Sequence, residues 1–111
     1  MVNFMIFVEL PVFTRVAAGL FDDEALQGIQ EILLSDPEAG DVIPGGSGLR
    51  KLRVPLPGRG KRGGARVIYY WWARREYCYL VYAYAKNEQS DLTRAQLKQL
   101  ARIMKQETHD G

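Results

Sequence analysis

Between Val42 and Arg75 the chain carries nine basic residues and no Asp, Glu or His: Arg50, Lys51, Arg53, Arg59, Lys61, Arg62, Arg66, Arg74 and Arg75. The segment before it is the reverse, with Arg15 alone against eight carboxylates over residues 1–41, a net of −7. Residues 76–111 hold five of each sign, so the formal charge of +2 conceals a strong segregation. An acid-free basic stretch is the electrostatic footprint of a surface that neutralises phosphates, and it points to a nucleic acid as partner. The competing reading is a solvated cationic face with no ligand. Metal-assisted hydrolysis needs clustered Asp, Glu, His or Cys ligands, and this segment has none, so no metal and no other cofactor is expected. Nucleophilic triads fail too. The single histidine, His109, lies at the end of the chain, and Cys78 has no histidine partner in prospect and reads as core.

Aromatic side chains interleave with the cations in Tyr69-Tyr70-Trp71-Trp72 and at Tyr77, Tyr79, Tyr82 and Tyr84. Most must be core. The strand period nevertheless puts Tyr82, Tyr84 and Lys86 on one face, where rings can stack on unpaired RNA bases, and Asn87 follows directly. Trp71 and Trp72 fall on opposite faces, so at least one is expected to be partly exposed or covered by a partner. The glycine-rich loop Pro57–Gly64 matches neither a P-loop nor a dinucleotide-binding turn. It offers Arg59, Lys61 and Arg62 on an arm suited to following a phosphate backbone, or else an unliganded hairpin tip.

The elements that must position these groups can be read from periodicity. Phe4 to Val8 is a short apolar run, read as a buried strand and closed by Pro11. Phe13, Val16, Ala17 and Leu20 have helical spacing with Pro11 in the first turn. A second helix opens on Asp22, Asp23 and Glu24, buries Leu26, Ile29 and Leu33, and stops at Pro37. After a Gly/Pro loop over residues 40–48 the period becomes 2: Leu52 and Val54 point to the core while Lys51 and Arg53 point away. Strands over Ala65 to Ala73 and Tyr77 to Lys86 complete an antiparallel meander. A last helix starts at Thr93, with Gln96 three residues on and Leu92 and Leu97 at the staple positions, and buries Leu97, Leu100, Ala101 and Met104. The expected fold is α+β. Two N-terminal helices and a C-terminal helix pack against one face of a mostly antiparallel four-stranded sheet, as one domain over residues 1–106 with a flexible tail at 107–111.

One cysteine excludes an internal disulfide and suits a reducing cytoplasm. The apolar start lacks a basic n-region and is broken by Glu9, Pro11 and Arg15, so neither export nor a membrane span is expected.

Three linked segments, GLRKLRV at 48–54, GKRGGARVIYY at 60–70 and YAKNEQSDLT at 84–93, closely resemble the HigB branch of the RelE superfamily. These are the toxin halves of bacterial type II toxin–antitoxin pairs, and the resemblance spans roughly residues 40–100. It implies a RelE-like fold, a ribosome-dependent endoribonuclease that cuts mRNA in the decoding site, and a cognate HigA-like helix-turn-helix antitoxin. It also implies that Lys51, Arg53, Arg66 and Lys86 take the places of the family's catalytic cations. Arg50, the loop cations, Tyr82, Tyr84 and Asn87 are expected to contact RNA or ribosome. RelE itself carries a tyrosine shortly after the last strand, where this chain has Leu92 and Thr93, so a tyrosine acid/base is not expected here.

Such a site works without metal. The 2′-hydroxyl attacks the neighbouring phosphate, Arg66 and Arg53 stabilise the charge on the phosphoryl oxygens, and Lys51 or Lys86 moves a proton if neighbouring cations lower its pKa. Two rival classes stand beside it: a ParE-like toxin, which keeps the fold, binds DNA gyrase, cuts nothing and would not require the basic pair beside a third arginine, and a non-catalytic RNA-binding module. The loop gives a first test. Changing Arg59, Lys61 and Arg62 to Ala should lower the slope of log K against log salt for RNA or ribosome binding by roughly 0.7 to 0.9 per lost phosphate contact. An unchanged slope makes the arm a bystander.

Overall fold

Why the cationic and apolar residues separate as they do is visible in the pairing of the strands. The computed structural model describes residues 4–56 and 63–108. The elements run β1 (Ile6–Glu9), α1 (Pro11–Ala17), α2 (Asp23–Ser35), β2 (Asp41–Val42), β3 (Arg50–Val54), β4 (Ala65–Trp72), β5 (Tyr77–Ala85) and α3 (Arg94–Glu107). The sheet order is β1-β5-β4-β3-β2. Strands β3, β4 and β5 form the expected antiparallel meander, and β1 pairs in parallel with the first half of β5.

The sheet has five strands and not four, because Asp41 and Val42 pair with Lys51 and Arg50 inside what reads as a loop. Two residues are too few to carry a periodic pattern. β1 begins at Ile6, where its pairing with Tyr77 starts. It is an edge strand with Phe4 and Ile6 exposed rather than a buried one. The C-terminal helix extends through Glu107, beyond the expected domain limit.

Local signals fixed the helices. Pro11 opens α1, the Asp22 carboxylate accepts from Ala25 N at 2.8 Å to cap α2, and α2 ends just before Pro37. At α3, Thr93 Oγ1 accepts from Gln96 N at 3.0 Å while Gln96 Oε1 accepts from Thr93 N at 2.9 Å, a complete capping box.

A register shift between Ile68 and Tyr69 leaves Val81 as an extra residue in β5, since Ile68 pairs with Tyr82 but Tyr69 with Leu80. A bulge of this kind inverts the alternation of side chains beyond it. Cys78, Leu80, Ala83 and Ala85 therefore share one face with Leu52, Val54 and Val67, against Phe13 of α1 and Ile29 and Leu33 of α2. Tyr77, Tyr79, Tyr82 and Tyr84 all fall on the other, where Leu100 and Met104 of α3 pack on Ile68, Tyr79 and Val81. The helices thus cover both faces, correcting the expected one-sided layer. Burial of both faces also explains why β4 is buried from Ala65 through Tyr69 without alternation. Trp71 and Trp72 are each half-buried, on opposite sides.

Gly64 sets the entry to β4. Its φ of +64° lies in the left-handed region, and a Cβ there would run into the Val54 carbonyl oxygen. Its own carbonyl accepts from Lys86 N at 3.0 Å. Gly64→Ala should therefore lower stability by on the order of 1–3 kcal/mol, read as a fall in the urea midpoint at unchanged m-value. An unchanged midpoint would show that this turn tolerates a side chain.

Candidate nucleic-acid interface

Arg53 on β3 faces Arg66 on β4, and Arg66 faces Tyr84 on β5, so a single row crosses three strands. One row along, Lys51 faces Ile68, which faces Tyr82. Arginines directly opposite each other repel, which a sheet built for stability alone would avoid. Among the described residues neither has a carboxylate partner. Arg66 is only 7 % exposed, and its guanidinium donates to the carbonyls of Ala65 at 3.2 Å and Gly63 at 3.3 Å, while Arg53 is exposed. With Lys51, Asp41, Ala39 and Leu52 they line a cleft of about 380 Å³. A buried fork held by carbonyls beside an open one suits a tetrahedral anion approached from one side.

Lys51 does not sit among cations. Its Nζ donates to Asp91 Oδ1 at 3.1 Å, so the expected crowding by like charge is replaced by an ion pair. The same oxygen accepts from the Tyr84 hydroxyl at 3.3 Å and from Leu92 N at 2.8 Å. Chiefly the Lys51 hydrogen bond, and then that of Leu92 N, hold the Asp91 carboxyl below the usual carboxylate range. Asp91 was not singled out in the sequence, because its contact with Lys51 joins residues 40 apart.

The other expected contacts separate. Lys86 is half-buried and donates to Ser90 O at 2.6 Å, and Asn87 is exposed in the turn after β5. Tyr82 is half-buried with its ring centroid 6.3 Å from that of Tyr84. Tyr84 is only 5 % exposed, so its ring is enclosed and the expected pair of stacking platforms reduces to Tyr82. Arg50 shares the parity of Leu52 and lies on the opposite face from Lys51 and Arg53. Its guanidinium donates to Gly40 O at 2.8 Å and lies 3.8 Å from the Glu38 carboxylate. Beside it the Tyr69 hydroxyl donates to Pro37 O at 2.7 Å and accepts from Gly40 N at 2.9 Å. Arg50 is thus tied into the scaffold and does not join the cationic row. Arg59, Lys61 and Arg62 lie outside the described residues.

Cys78 is fully buried and desolvation pushes its thiol up to about 12, which makes it a packing residue. Among the described residues no three His, Cys, Asp or Glu side chains form a metal-binding group, and no helix is long and apolar enough to cross a membrane.

Residues 11–109 match the family described as the RelE toxin of the RelE / RelB toxin–antitoxin system. The chain belongs to the RelE toxin family. Its fold agrees: the structure of the E. coli toxin RelE, a mutant in the free state, superimposes with a TM-score of 0.58 over 90 % of this chain and 96 % of that one. At 10 % identity that likeness is one of fold alone. The family brings with it the toxin half of a toxin–antitoxin pair.

Burial is the first cause of the upward shift of Tyr84, to about 12, with the Asp91 charge second. An unfolded tyrosine ionises near pH 10. Below about pH 10 Tyr84 is protonated in both states and its contribution to stability is complete. Between 10 and 12 the unfolded chain loses the proton first, so stability falls as pH rises through that window. Urea unfolding at stepped pH should show this loss, and Tyr84→Phe should make it shallower. Equal slopes in the two proteins would mean that Tyr84 ionises as freely folded as unfolded.

Proposed function

We propose that this RelE-family chain is the toxin of a type II toxin–antitoxin pair and acts as a ribosome-dependent endoribonuclease. It is kept silent by a cognate HigA-like helix-turn-helix antitoxin. The assignment to the HigB branch rests on the motifs at 48–54, 60–70 and 84–93. The observation that carries the activity is the Arg53–Arg66 confrontation: two guanidinium groups face each other across β3 and β4, neither ion-paired among the described residues although Asp41 lines the same cleft, and an anion would relieve their repulsion.

In the proposed reaction the 2′-oxygen of one nucleotide attacks the adjacent phosphorus, the bond to the 5′-oxygen breaks, and a 2′,3′-cyclic phosphate and a free 5′-hydroxyl result. Charge gathers on the non-bridging oxygens. The buried Arg66 fork is preorganised for it and the open Arg53 completes the clamp, which is the larger share of the catalysis. Lys51, which lines the cleft, is the candidate for proton transfer, and Lys86, whose ammonium donates to Ser90 O, is the second. Inducing the chain alone should arrest translation, and co-expressing its antitoxin should restore growth.

Lys51→Ala and Arg53→Ala should abolish toxicity with little loss of stability, because neither side chain packs in the core. Arg66→Ala would strand the carbonyls of Gly63 and Ala65, so Arg66→Lys is the cleaner probe: it keeps a donor and loses the fork. Each change should lower cleavage of ribosome-bound mRNA, followed by primer extension, by on the order of 10²–10³, with docking much less affected in sedimentation. Three variants that still cut at near wild-type rates would overturn this site. Arrest of DNA supercoiling with translation intact would instead favour gyrase as the target.

A further inference from the structure

We propose that Asp91 is a positioning residue that holds Lys51 as the acid of the cleavage step. The inference rests on the endoribonuclease reading above and goes beyond it by dividing the roles of the cations. Its ground is that Asp91 is fixed by contacts that do not involve Lys51. Oδ1 accepts from Leu92 N and from the Tyr84 hydroxyl, and Asp91 O accepts from Gln89 Nε2 at 2.8 Å. Gln89 is held in turn by Gln96, at 2.5 Å, the residue that closes the capping box of α3. The turn between β5 and α3 therefore offers a rigidly placed oxygen, and Lys51 comes to it from β3, 40 residues away in sequence.

An exposed ion pair of this kind adds little to stability, so stability does not account for so many supports. Placement does. Lys51 and Asp41, opposite each other on β3 and β2, form the wall shared by two clefts, one of about 380 Å³ with Arg53 and Arg66, the other of about 450 Å³ with Asp91, Leu92 and Thr93; of the two carboxylates it is Asp91 that accepts from Lys51. Paired to a carboxylate, it enters the reaction as an ammonium. One of its three hydrogens is committed to Asp91, leaving two to donate. An ammonium gives a proton at once and can accept none, so Lys51 serves the leaving 5′-oxygen. The step balances: the 2′-hydroxyl proton passes to water, phosphorus gains the bond to the 2′-oxygen and loses that to the 5′-oxygen, and the 5′-oxygen takes the Lys51 proton. Lys51 then regains one from solvent. Asp91 touches neither oxygen and acts only through Lys51.

Asp91→Asn tests this, because an amide oxygen can still accept from Leu92 N and the Tyr84 hydroxyl while the charge is lost. The substrates are ribosome-bound mRNAs with oxygen or with sulfur at the 5′ bridging position of the cleaved bond. A thiolate leaves without protonation, so only the oxygen substrate needs an acid. With oxygen, Lys51→Ala should lower the rate at saturation by roughly 10²-fold or more and Asp91→Asn by about ten-fold, with KM nearly unchanged. With sulfur both should cut close to the wild-type rate. In the double variant Asp91→Asn should add nothing to Lys51→Ala, as two residues acting as one unit require. Equal defects on both substrates, full activity of Asp91→Asn, or additive losses would each overturn the role of Asp91 while leaving the nuclease reading in place. Failure of the wild-type protein to cut the oxygen substrate would overturn the nuclease reading itself.

Discussion

The pairing of β4 with β5 is the contact on which the rest of the molecule depends, and its decisive residue is the unpaired Val81. Eight paired positions hold the two strands together, but without the bulge one end of β5 would present its tyrosines to the layer of α1 and α2. With it, small and aliphatic residues at 78, 80, 83 and 85 fill that layer, and the four tyrosines meet α3 and the cationic row. Trp72, Tyr77 and Tyr79 then cluster, with Trp72 stacked on Tyr79 at 6.5 Å between centroids and Arg75 lying 5.3 Å from the Trp72 ring. At the other end Tyr84 is left beside Arg66, with its hydroxyl at Asp91. One inserted residue thus decides which aromatic groups pack and which one reaches the charged cleft.

That cleft is held open against electrostatic cost. Arg53 and Arg66 repel, and Arg66 is buried as well, so the pair costs the sheet stability. The surrounding structure makes it tolerable: two backbone carbonyls take hydrogen bonds from Arg66, and Asp91 neutralises Lys51 one row away. With Lys51 paired and Asp41 also lining the cleft, Arg53 and Arg66 are its cations without a carboxylate partner among the described residues.

Features encoded by near neighbours were legible in the sequence. Pro11, the Asp22 cap and the Thr93–Gln96 box each act within one helical turn, and all three elements begin where those residues place them. The alternation of Lys51 and Arg53 with Leu52 and Val54 was equally local. What was missed needs distant partners. The two-residue β2 has no pattern of its own, and nothing in the stripe of α3 says which side of the sheet it will cover. The tyrosine spacing 77, 79, 82, 84 did contain the bulge: steps of two, three and two keep four like residues on one face only if a residue is inserted at the three. The burial of Tyr84 and the contact of Asp91 with Lys51 emerge only when the turn after β5 meets the neighbouring strands.

Strand β3 shows how closely scaffold and site are interleaved. Arg50 and Lys51 are neighbours in sequence and similar in charge, yet Arg50 ties down the segment from Glu38 to Gly40 on one face while Lys51 meets Asp91 on the other. Their separation is maintained by Leu52 and Val54, both buried against α2 and β4. A slip of one residue would drive Lys51 and Arg53 into that apolar layer unpaired and bring Leu52 and Val54 to the cleft. Desolvating two unpaired cations is far more costly than anything the slipped register could recover. The same apolar burial that stabilises the domain therefore fixes the register of its cationic row, and the charges themselves forbid the alternative.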